Sequence, residues 1–103
     1  MSRGYWIAQL DVTDGEAYAK YVAANGEAFA KYGAHFLVRG GQYEAVEGAA
    51  RSRTVVIEFA DYATALACYR SPEYARAKAF REGASEGDIV VIEGYDGPQP
   101  DGS

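Results

Sequence analysis

Residues 4–12 alternate in character, with Trp6, Ala8 and Leu10 on one side and Tyr5, Ile7 and Gln9 on the other, and a period of two predicts a strand. Thr13 or Asp14 then offers a helix cap, and Tyr18, Tyr21, Val22, Phe29 and Tyr32 recur at steps of three and four. That spacing predicts an amphipathic helix over 17–32, with a weak point at Asn25-Gly26 and a stop at Gly33. Residues 34–39 form a second strand, broken by Gly40-Gly41, and 42–47 a short strand or arm. Residues 52–59 alternate again and predict a third main strand. Asp61 caps a helix over 62–70, and Ser71-Pro72-Glu73 restarts it, because serine caps, proline suits the first helical position and glutamate suits the positive helix end. Gly83 closes this second helical segment after about Glu82, and residues 88–95 are the last strand.

The order β-α-β-β-α-β is that of an α+β, ferredoxin-like fold, an antiparallel sheet with its helices on one face. Alternation assigns Trp6, Ala8, Leu10, Phe36, Val38, Val55, Ile57, Phe59, Val90 and Ile92 to the face under the helices. The opposite face then carries Tyr5, Ile7, Gln9, His35, Leu37, Arg39, Thr54, Val56, Glu58, Ile89, Val91 and Glu93. A sheet face in water is usually more polar than this second set. Its apolar members, Ile7, Leu37, Val56, Ile89 and Val91, are therefore expected to be buried by a second copy of the chain in a homodimer.

With 103 residues the chain is expected to form one domain over 1–95, followed by a flexible tail over 96–103 that is rich in Gly, Pro and Asp. A net charge of −5 argues against nucleic acid and against an anionic membrane surface as partners. The first apolar stretch is too short and too interrupted for a signal-peptide core or a membrane span. A single cysteine, Cys68, excludes an internal disulfide and a cysteine-cluster metal site, and its apolar neighbours suggest a buried thiol. These features together predict a cytoplasmic protein.

Four segments carry a resemblance: Gly4-Tyr5-Trp6-Ile7-Ala8, residues 32–41 from Tyr32 to Gly41, Val56-Ile57-Glu58-Phe59, and Tyr69-Arg70-Ser71-Pro72-Glu73-Tyr74. In combination they resemble the domain-of-unknown-function family numbered 1330, over nearly the whole chain to about Tyr95. The resemblance implies a dimeric α+β barrel and supplies no established reaction. The wider group contains cofactor-free monooxygenases, isomerases, haem enzymes and proteins without known activity, so the analogy is one of fold.

The candidate chemistry lies on the face away from the helices. His35, the only histidine, and Glu58 are the candidate catalytic residues, able to move a proton. Arg39 is the candidate anchor for an anionic group, Gln9 would orient a substrate, and Tyr5 would border the site. The plainer reading is a hydrogen-bonded histidine and an ion-pair network that fixes the register of a dimer. One histidine among scattered carboxylates makes no metal site, and no motif calls for a cofactor. The Tyr69–Tyr74 segment is explained by capping and core tyrosines. Three functions stay open: a cofactor-independent enzyme acting on a small, partly apolar or anionic metabolite, a non-catalytic binder of such a molecule, and a dimerisation module.

Overall fold

The computed structural model describes residues 2–103. Strand β1 (Gly4–Val12) is followed by α1 (Gly15–Lys31), β2 (His35–Arg39), β3 (Arg53–Phe59), α2 (Tyr62–Tyr69), α3 (Pro72–Arg81) and β4 (Ser85–Glu93). The strands form one antiparallel sheet in the order β2-β3-β1-β4, and all three helices cover one face of it. No helix among the described residues is long and apolar enough to cross a membrane.

Side-chain caps set the helix starts. Asp14 accepts a hydrogen bond from the Ala17 amide, Asp61 from that of Thr64 and Ser71 from that of Tyr74, each satisfying a backbone donor that the first turn leaves free. Helix α1 runs unbroken through Asn25-Gly26, and Asn25 is buried on its inner face, so the weak point expected there does not exist. The backbone approach at the start of β1 is close. A methyl group on Gly4 would collide with the Asp61 carbonyl and the Tyr62 backbone, so only glycine lets β1 pass beneath the start of α2.

The core is aromatic and centred on Trp6. Its ring centroid lies 5.3 Å from that of Phe29 on α1, 5.5 Å from Tyr69 on α2 and 4.9 Å from Tyr74 on α3, all edge-to-face. The indole Nε1–H donates to the Ala65 carbonyl at 2.8 Å, so the one polar atom of this side chain is satisfied. As expected, Trp6, Ala8, Leu10, Val55, Ile57 and Phe59 are buried on the helix side, with Phe36 packed against them.

Three expectations need correction. In β4 the phase is inverted: Trp6 pairs with Val91 and Ala8 with Ile89, so Ile89 and Val91 pack on the core, whereas Val90 and Ile92 stand 51% and 47% exposed on the open face. Glu93, opposite Gly4, likewise belongs to the helix-side phase. In β2 a register shift between Phe36 and Val38 inserts Leu37 as an extra residue. Beyond this bulge Val38 pairs with Val56 on the open face and Arg39 with Val55 on the helix side, the reverse of simple alternation. Residues 42–47 form no strand; they belong to an exposed irregular arm between β2 and β3.

Candidate functional site

The open face is organised in rows across the strands. At one end His35 and Tyr5 are both Cα partners of Glu58, and Tyr5 is in turn the partner of Ile92. The Tyr5 hydroxyl donates to Glu58 Oε2 at 3.3 Å, and the Arg3 guanidinium lies 3.7 Å from Glu58 Oε1. Glu58 is half-buried and His35 exposed. These groups can hold and pass a proton within hydrogen-bonding reach of a molecule laid on this end of the sheet.

The next row is wholly apolar: Val38, Val56, Ile7 and Val90, one from each strand. Beyond it come Thr54, Gln9 and Asp88, then Asp11 beside Glu86. Asp11 Oδ1 accepts from the Ser52 amide at 2.8 Å, and Asp11 Oδ2 from Arg51 at 3.0 Å, which ties the end of the arm to β1. The bonds from Ser52, reinforced by Arg51, hold the Asp11 carboxyl below the usual range. Between the arm and the sheet lies an open trough of about 650 Å³, lined by Ile7, Gln9, Asp88 and Val90 from the sheet and by Ala49, Ala50 and Arg51 from the arm.

The five candidate residues therefore do not converge. His35, Glu58 and Tyr5 form one cluster. Gln9 is on the same face but two rows away from Tyr5, roughly 13 Å at the ordinary rise per residue of a strand. Arg39 is on the other face, its guanidinium carbon 4.0 Å from the centroid of the Phe36 ring, and it cannot anchor a ligand beside Glu58. Asp11, Asp88 and Arg51 also belong to this face and are not among the expected residues. Asp11 continues the Tyr5–Ile7–Gln9 alternation, but a loop contact between residue 51 and β1 has no local signature in the sequence. Among the described residues no three His, Cys, Asp or Glu side chains converge as a metal site would require.

Comparison with known proteins fits this architecture. Residues 3–95 match the family described as Domain of unknown function (DUF1330). The chain belongs to that family. Among solved structures, this DUF1330 chain is similar to RPA0582, a protein of unknown function from Rhodopseudomonas palustris, with 19% identity, a TM-score of 0.72, and 96% of this chain and 85% of that one covered. It is also similar to a dimeric ferredoxin-like protein of unknown function from Thermobifida fusca, at 15% identity and a TM-score of 0.57, with 89% of each chain covered. SnoaB, a cofactor-independent oxygenase from Streptomyces nogalater, shares 10% identity at a TM-score of 0.61, over 94% of this chain and 97% of that one. At these identities the likeness is one of fold. No curated protein matches the sequence.

Proposed function

We propose that this DUF1330 protein is a homodimer that closes its open sheet faces over a small-molecule site. The observation that carries the reading is the apolar row Val38, Val56, Ile7 and Val90, extended by Ile92 and Leu37, which crosses all four strands and is uncovered in a single chain. An apolar band of this kind in the middle of a sheet favours a partner surface. Pairing would bury the band and roof the trough beside Gln9, whose volume is in the range of small-molecule sites.

The trough selects by its acceptors. Asp88 and Gln9 line it, and its one guanidinium, Arg51, is already paired with Asp11. The ligand that fits is a partly apolar molecule carrying hydroxyl or amine donors, with an apolar part on Ile7 and Val90. A catalytic reading rests on a separate observation, the row of His35, Glu58 and Tyr5, which supplies proton-transfer groups without a cofactor. The similarity to the dimeric T. fusca protein supports pairing, and that to the oxygenase is compatible with cofactor-independent chemistry.

Light scattering at micromolar concentration tests the reading. It predicts twice the chain mass for the wild type and a folded monomer for Val56→Asp, because a carboxylate in the middle of the buried band is left unpaired. A wild-type protein that stays monomeric refutes it.

A further inference from the structure

On the other side of the sheet, beneath α1, a small cavity of about 30 Å³ opens between the helix and strands β1, β2 and β3. Its walls are apolar and aromatic, with Trp6, Phe29, Phe36 and Val55 among them, and Asn25, 5% exposed, is a buried polar group on its lining. Among the described residues, Arg39 and Arg53 bring the only formal charges to it.

The two arginines are arranged unusually. Arg39 pairs with Val55, so Arg53, two residues before Val55 on the same face, is its diagonal neighbour at roughly 7 Å between backbones. The Arg39 guanidinium lies over Phe36 and that of Arg53 5.7 Å from the Tyr18 ring centroid. Among the described residues neither has a carboxylate within 4.0 Å, although the chain carries 15 acidic residues against 10 basic ones. Arg53 Nε is buried and has no hydrogen-bond partner. Gly40, at φ +65°, has no side chain and leaves the place of a Cβ to the Arg53 guanidinium. Neither guanidinium has a counter-charge beside it, and a buried N–H without a partner costs free energy. An anion bound at this rim supplies both the counter-charge and the missing acceptor.

We propose that this cavity is a binding site for a short-chain carboxylate. Arg39 and Arg53 hold the carboxylate by charge-assisted hydrogen bonds, and the alkyl tail enters against Trp6 and Phe36. Size limits the tail. One water-sized group needs about 10–15 Å³ on this scale, so the cavity accepts roughly two such groups, an ethyl tail rather than an aromatic ring. The site lies within one protomer, on the face opposite the proposed dimer interface, and is independent of it.

The experiment uses the full chain labelled with nitrogen-15. Trp6 is the only tryptophan, so its indole N–H resonance reports on the cavity wall without assignment. Propionate, its neutral isostere propionamide and inorganic phosphate are titrated separately at matched ionic strength. Propionate is expected to shift the Trp6 signal saturably, and propionamide and phosphate to bind at least about tenfold more weakly. Arg39→Gln, at an exposed position that folding tolerates, and Arg53→Gln should each weaken propionate roughly tenfold, as the loss of a charge-assisted bond implies. Equal binding of propionamide or phosphate, an unchanged affinity in Arg39→Gln, or no saturable shift overturns the proposal. Val56→Asp should bind propionate as the wild type does, and loss of binding there would overturn the placement of the site within one protomer.

Discussion

The hydroxyls of Tyr21 on α1 and Tyr74 on α3 meet at 2.8 Å in the core, and Arg81 donates to the Tyr74 hydroxyl at 3.3 Å. This pair joins the two longest helices over the sheet. Tyr74 has no solvent exposure and Tyr21 is 7% exposed, and loss of solvation pushes both phenols above their usual range.

A pH dependence follows from that burial. Each phenol is harder to ionise folded than unfolded, so its contribution to stability is complete below the unfolded pKa near 10 and declines as the pH rises beyond it. Spectrophotometric titration of the native protein should leave Tyr21 and Tyr74 unionised until the chain unfolds. Tyr74→Phe should flatten the alkaline loss of stability. At neutral pH it should cost about 1–3 kcal/mol, because the Tyr21 hydroxyl loses its partner. A wild-type unfolding midpoint in urea that does not change between pH 8 and pH 11 would contradict this account.

Trp6→Phe should destabilise by about 2–4 kcal/mol. The substitution opens a cavity at the centre of the aromatic cluster and leaves the Ala65 carbonyl without its donor. Equilibrium urea unfolding measures the change, and a midpoint near that of the wild type would mean that the core collapses onto the smaller ring.

The Cys68 thiol has no solvent exposure, and burial pushes its pKa up to about 12. An aromatic disulfide reagent at pH 8 should label the native protein at the rate at which the chain opens, accelerating in denaturant in step with unfolding. Immediate stoichiometric labelling would show that the site around α2 opens far more readily than its burial indicates.

The inward set of β1 and β3 was legible because polar residues punctuate the other phase, Gln9 in one strand and Thr54 and Glu58 in the other. Strand β4 offers no such contrast. Ile89, Val90, Val91 and Ile92 are all apolar, and only pairing with β1 decides which two face the core. The bulge at Leu37 is equally silent in composition, yet it moves Arg39 across the sheet, and with it the anion anchor that alternation placed beside Glu58. The cluster of Tyr5, His35 and Glu58 was legible because it lies before the bulge, where the period of two still holds. The trough needs a loop of 13 residues between β2 and β3 to fold back on β1, a long-range contact that no local pattern encodes.

Asp11 is the residue that makes this contact, and it gives the sharpest test of the arm. Its carboxylate accepts from Ser52 and Arg51, and these bonds depress its pKa, so the anchor is complete above the ordinary carboxylate range and is lost as the pH falls through the folded value. Asp11→Ala should therefore speed amide exchange at Ser52 and increase proteolysis within residues 40–52 at neutral pH, with little change in the global unfolding midpoint. Acidification should loosen the wild-type arm in the same way and leave the variant unaffected. Since the arm forms one wall of the trough while the apolar row lies on the sheet, the variant should keep the oligomeric state of the wild type. An arm as well protected in Asp11→Ala as in the wild type would show that other contacts hold it over the sheet.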